Sequence, residues 1–193
     1  RLRSEIAQAR GVVFDLRNQQ AWTGSRTSAV GLLFVEAGLN NLLADGVLNV
    51  PGQRFRIHSG LASPWEGGSV YFHSAFYVRD GAQVKGDGAG AARTVVFLAD
   101  RTSHLPPIAP ALQTAGRARI VAAGGVTDTA LVERNLIRLP DNIEVELRTT
   151  ELVYEDGTTG LVPDLVAPEE GNRPLEAALR LAYDTPRTPG GRA

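Results

Sequence analysis

Two nearly continuous apolar runs anchor the chain. "GVVFDLR" (Gly11–Arg17) and "TVVFLAD" (Thr94–Asp100) are rich in Val and Phe without alternation. That is the pattern of strands covered on both faces. A third run, "RARIVAAG" (Arg117–Gly124), reads the same way. Helical spacing separates them. Leu2–Arg10 forms a short helix closed by Gly11, and "IAPALQTAG" (Ile108–Gly116) a second. From Ser28 as N-cap, Leu32, Val35, Leu39, Leu42 and Leu43 share one face of a helix ending at Gly46. The segment from Pro51 to Gly68 is turn-rich with one short strand at Phe55–His58, and Ser69–Val78 is a strand or hairpin arm. "KGDGAGAAR" (Lys85–Arg93) precedes a strand rather than following one, so it is a loop and not a phosphate cradle. "NLIRLP", "IEVELRTTELVYEDG" and "LVPDLVAP" make a β-rich section. Asn172 caps a last helix with Leu175, Leu179 and Ala182 inward, and residues 184–193 form a disordered tail. Alternating strands and helices predict an α/β fold with a β-rich C-terminal portion.

Composition narrows the chemistry. A chain of 193 residues makes one ordinary domain that needs no disulfide or metal staple. It has no cysteine, which excludes thiol catalysis and thiolate zinc sites. A net charge of −1 with mixed signs points away from nucleic acid, and no apolar run is long enough to span a membrane. No cofactor or metal signature stands out. Methionine is absent even at the start, which marks the chain as a piece of a longer protein. Lys85 is the only lysine, so lysine chemistry has no second candidate.

The junction "ADRTSHLPPIAP" (Ala99–Pro110) joins a buried strand to a helix. A sharp turn there lifts one side chain above the sheet edge and aims unpaired N–H groups at the same spot. Pro106 and Pro107 suit a first helical turn. Two readings of Ser103 follow. Either Thr102 and Ser103 cap the helix, or Ser103 attacks a carbonyl while the His104 N–H helps hold the oxyanion.

Four collinear segments resemble the catalytic core of the C-terminal processing (tail-specific) serine peptidases, a family that includes the tricorn-type core proteases. "GVVFDLRN" resembles the strand that ends in Asp-Leu-Arg and enters the oxyanion loop. "VVFLADRTSHLPPIAPALQTAGRARIVAAG" resembles the strand, nucleophile turn, helix and following strand, with Ser103 on the nucleophile. "GLVPDLVAP" (Gly160–Pro168) resembles the Gly-Ile-x-Pro-Asp signature, and "PLEAALRLA" the closing helix. The resemblance implies a peptidase core over residues 1–183 with the spiral α/β fold shared by Clp proteases and crotonases. It further implies an oxyanion hole from the N–H groups of His104 and a residue near Ala21, a polypeptide substrate, contributions from upstream parts of the same protein, and a periplasmic or secreted location.

The departures lie at the catalytic positions. Asp128 stands where the family's lysine would be, Pro106 where its glutamate would be, and "NQQAW" replaces the glycines of the oxyanion loop. A serine hydroxyl is a weak nucleophile without a base in reach. His104, His58 and His73 are the histidines available, Asp128 could only orient one, and Lys85 lies upstream in the predicted loop. Two functions therefore stand side by side. One is a serine endopeptidase core; the other is a degenerate peptidase-like domain that binds peptide or partner proteins without cleaving them. A crotonase-type acyl enzyme finds no support in paired carboxylates or an adenine-site motif.

Overall fold

The computed structural model describes residues 2–17, 34, 38–59, 73–89, 94–124, 135–147 and 150–184. Helix α1 (Leu2–Gln8) leads into strand β1 (Gly11–Asp15), and helix α2 (Leu39–Leu43) into β2 (Asp45–Val50) and β3 (Gly52–Ser59). Strands β4 (His73–Arg79), β5 (Ala82–Asp87) and β6 (Thr94–Ala99) follow, then α3 (Ile108–Thr114) and β7 (Ala118–Ala123). The last part contains β8 (Asn135–Arg138), β9 (Glu144–Leu147), β10 (Thr150–Val153), β11 (Leu165–Ala167) and α4 (Arg173–Asp184).

The fold is mixed α/β around a four-stranded parallel sheet in the order β1-β6-β7-β11. The three apolar runs of the sequence are its three adjacent strands, as their composition requires. Pleating sends alternate residues of each to opposite faces. Val12, Phe14, Val95, Phe97 and Ile120 pack with Ile108 and Leu112 of α3 and Leu42 and Leu43 of α2. Val13, Val96, Leu98 and Val121 pack with Ala178 and Ala182 of α4. Phe14, Phe34 and Phe97 form an aromatic cluster on the first face, with ring centroids 5.0–6.1 Å apart. The described residues also form three smaller antiparallel sheets, β10-β3-β4, β2-β5 and β8-β9.

Asp164, in the Pro-Asp signature, ties the sheet to its flank. Its carboxylate accepts from the Ile120 N–H (2.8 Å), Gln113 Nε2 (2.7 Å) and Arg119 Nη1 (2.8 Å). The signature residue is thus a clamp between the start of β7, the end of α3 and the turn into β11.

Three expectations need correction. The helix predicted up to Gly46 stops at Leu43, because Ala44 is already extended, and its start at Leu39 follows the left-handed Gly38 (φ +63°). The chain then forms β2, which pairs with β5. Residues 85–87 of the predicted loop Lys85–Arg93 belong to that strand, Ala82–Asp87, so Lys85 lies in a ribbon. In α4, Leu179 faces outward at 51% exposure, and Pro174, Ala178 and Ala182 are the buried residues. The tail beyond Asp184, and residues 28–33 of the predicted N-capped helix, lie outside the described residues.

Gly11 seats α4 against β1. A Cβ there would stand 2.4 Å from the Ala182 carbonyl oxygen, which is backbone and cannot swing aside. We expect Gly11→Ala to lower the unfolding free energy by about 2–3 kcal/mol in urea denaturation, the scale of an overpacked core. An unchanged midpoint would contradict this seating of α4.

Candidate functional site

The parallel ladder between β1 and β6 ends at the pair Asp15↔Leu98, where the Leu16 N–H donates to the Leu98 carbonyl at 2.8 Å. In the same register the next rung would run from the Asp100 N–H to the Leu16 carbonyl. A serine hydroxyl stands in that place. The Asp100 N–H donates to Ser103 Oγ (2.7 Å), and Ser103 Oγ donates to the Leu16 carbonyl (2.8 Å), with Asp100 Oδ1 as a second acceptor at 2.9 Å. Ser103 is 0% exposed.

The local sequence holds the hydroxyl there. The Ser103 N–H donates to the Asp100 carbonyl at 3.1 Å, closing a four-residue turn. Inside it, Asp100 Oδ1 accepts from the Thr102 N–H and Thr102 Oγ1, both at 2.7 Å. Aspartate bonding the N–H two residues on is the Asx turn, which aspartate favours at such corners. Asp100 is itself buried at 7% exposure. Neither Thr102 nor Ser103 caps α3, which begins at Ile108 after Pro107 and has no side-chain cap. Pro106 and Pro107 precede the helix rather than forming its first turn, and the Pro106 carbonyl accepts from the Ala109 N–H.

The Asp-Leu-Arg at the end of β1 divides its work between its residues. Leu16 is buried and presents its carbonyl to Ser103. Asp15 and Arg17 pair across it on the surface side, with Oδ1 2.9 Å from Nε and Oδ2 2.7 Å from Nη2. The Arg17 guanidinium holds the Asp15 carboxyl below the usual carboxylate range, and the nearby Asp100 charge opposes this weakly. A depressed carboxyl stabilises the fold above the ordinary aspartate range, and the contribution is lost as pH falls through its lowered value. The Asp15 side chain is 39% exposed, so the effect on stability is small.

The predicted catalytic parts do not meet in the described residues. His104 is half-buried and engaged in an interaction of its own, and no hydrogen bond of Ser103 involves it. Ala21, expected near the oxyanion, and Asp128 lie outside the described residues. His58 and His73 lie on β3 and β4, opposite Ser74 and Ser59, in a sheet other than the parallel one. Among the described residues no group of His, Asp and Glu could hold a metal ion, and no helix is long and apolar enough to cross a membrane. Asp100 and Leu16 are the residues that reading the sequence missed. The Asp-x-Thr-Ser spelling carries the turn signal that could have found Asp100.

No family model matches the chain, and no curated protein matches it. Among solved structures it is similar to the photosystem II D1 C-terminal processing protease, at 17% identity and TM-score 0.45 over 94% of this chain and 42% of that one. A lipoprotein from Streptococcus agalactiae is similar at 11% identity and TM-score 0.41, over 94% of this chain and 62% of that one. Mature CPAF is similar at 13% identity and TM-score 0.42, over 95% of this chain and 44% of that one. The chain thus spans less than half the length of two of these structures. Likeness at this level leaves residue roles and activity to the geometry of the chain itself.

Removing the hydroxyl strands two buried backbone groups, the Asp100 N–H and the Leu16 carbonyl. Ser103→Ala should therefore cost about 2–6 kcal/mol of unfolding free energy, at 1–3 kcal/mol for each group left without a partner. Thr102→Ala spares the bridge and should cost about 1 kcal/mol or less. Equal, small losses in chemical denaturation of the two variants would refute the bridge.

Proposed function

We propose that the chain is a polypeptide-binding domain built on a C-terminal processing peptidase core, of the spiral type shared with Clp proteases and crotonases, and that it binds without cleaving. One observation carries the reading: the Ser103 hydroxyl is buried inside the β1–β6 ladder, with its hydrogen directed at Leu16 and Asp100. To act as a nucleophile it would have to leave two buried backbone groups unpaired, at about 1–3 kcal/mol each. It would also need a base, and a carboxylate such as that of Asp100 is a poor one for serine. Asp128 and Pro106 at the family's lysine and glutamate positions support the same reading.

The sheet itself suits polypeptide binding, because extended segments add to strand edges through main-chain hydrogen bonds. The serine endopeptidase is the competing reading. It rests on the place of Ser103 at the carboxyl end of a central strand, beside the Asp-Leu-Arg corner.

Reduced, carboxymethylated α-lactalbumin, a permanently unfolded chain, separates the two. The 193-residue protein should bind it in fluorescence anisotropy, leave it uncut on prolonged incubation, and take no label from a fluorophosphonate probe. Labelling of Ser103 with fragments that disappear in Ser103→Ala would establish the peptidase instead.

A further inference from the structure

The two edges of the parallel sheet are unlike. Strand β11 is three residues long and stands between Pro163 and Pro168, a short, proline-flanked edge of the kind that discourages pairing. Strand β1 has none of these devices. Its five residues, Gly-Val-Val-Phe-Asp, have the composition of an interior strand, yet among the described residues no strand pairs with its outer side.

The register shows which groups face outward. The Leu16 N–H bonds the Leu98 carbonyl within a ladder that pairs Asp15 with Leu98. Val12, Phe14 and Leu16 therefore direct their N–H and C=O groups into β6, and Gly11, Val13 and Asp15 direct theirs away from it. At one end of this edge Arg10 lies against Tyr183, with Nη1 3.3 Å from the hydroxyl and the guanidinium 5.9 Å from the ring centroid. Among the described residues no carboxylate pairs with Arg10. At the other end the Asp15 carboxylate is already held by Arg17.

We infer that the outer edge of β1 is the docking strand for an extended apolar segment of a partner polypeptide, with an acidic group beside Arg10. The inference rests on the polypeptide-binding reading above and names its site. The partner strand completes the ladder at Gly11, Val13 and Asp15, and gives β1 the interior position its composition suits. A second copy of this chain is the less suitable occupant. Antiparallel self-pairing about Val13 would bring the partner's Asp15 towards the Arg10 end, but that carboxylate is already engaged by its own Arg17.

Amide hydrogen exchange by NMR reads the edge residue by residue. In the free protein the amides of Val12, Phe14 and Leu16 should exchange slowly, and those of Val13 and Asp15 fast. Saturating carboxymethylated α-lactalbumin should slow Val13 and Asp15 at least about tenfold and leave the other three unchanged. Val13→Pro removes an outward N–H without touching the β6 ladder and should weaken binding about tenfold, the equivalent of 1.4 kcal/mol. Arg10→Glu, outside the strand, should weaken it in the same direction and covers the case in which the proline variant fails to fold. Binding that leaves Val13 and Asp15 unprotected would overturn the inference while sparing the polypeptide-binding reading; no binding at all would overturn both. Protection that rises with protein concentration alone, together with a dimer mass, would put a second copy on the edge and overturn the inference.

Discussion

The join between β1 and β6 beyond Leu98 runs through a side chain. A direct N–H to C=O rung would keep the two strands at ladder spacing as far as Asp100. The Ser103 hydroxyl lies between donor and acceptor instead, so the strands part there while both backbone groups keep a partner. Buried polar groups tolerate such a substitution only when the inserted group both accepts and donates, which a hydroxyl does. The turn from Asp100 to Ser103 is built around this need, with the Asp100 carbonyl, amide and carboxylate all bonded within it. From that fixed turn the chain passes through Pro106 and Pro107 into α3, whose Ile108 and Leu112 enter the core beneath the sheet.

The same constraint decides what chemistry the corner can do. A nucleophilic serine needs its oxygen open to substrate and its hydrogen facing a base. Here the oxygen accepts from a backbone amide and the hydrogen faces a backbone carbonyl and a carboxylate. What the corner does offer is a fixed end to β1, the strand that among the described residues pairs on one side only. The bridge and the outward-facing edge belong to the same short strand, with Leu16 holding the bridge and the backbone groups of Gly11, Val13 and Asp15 facing away from β6.

Much of this was legible in the sequence. The runs Gly11–Arg17, Thr94–Asp100 and Arg117–Gly124 announce buried parallel strands because covering both faces removes the alternation. Helix α3 was legible from its spacing, and the Ser103 corner from its place between strand and helix. The direction of the Ser103 hydroxyl was not. It depends on a turn set by Asp100, which the sequence presents as the last residue of an apolar strand. The β2–β5 ribbon was hidden for a different reason. Gly46 and Gly86 look like a helix end and a loop, and only the fold shows that a Cβ on Gly86 would stand 2.1 Å from the Ala44 carbonyl oxygen. Leu179 misled because helical spacing gives a stripe without saying which side of it the sheet will take.

The bridge is the claim on which the account turns, and the exchange rate of a single amide tests it. Bonded to a buried hydroxyl, the Asp100 amide should exchange as slowly as those of Val96 and Leu98, through global unfolding alone. In Ser103→Ala it should exchange at least about a hundredfold faster than Val96 and Leu98 in the same variant, through local opening. A rapidly exchanging Asp100 amide in the unmodified protein would contradict the bridge and remove the main objection to Ser103 as a nucleophile.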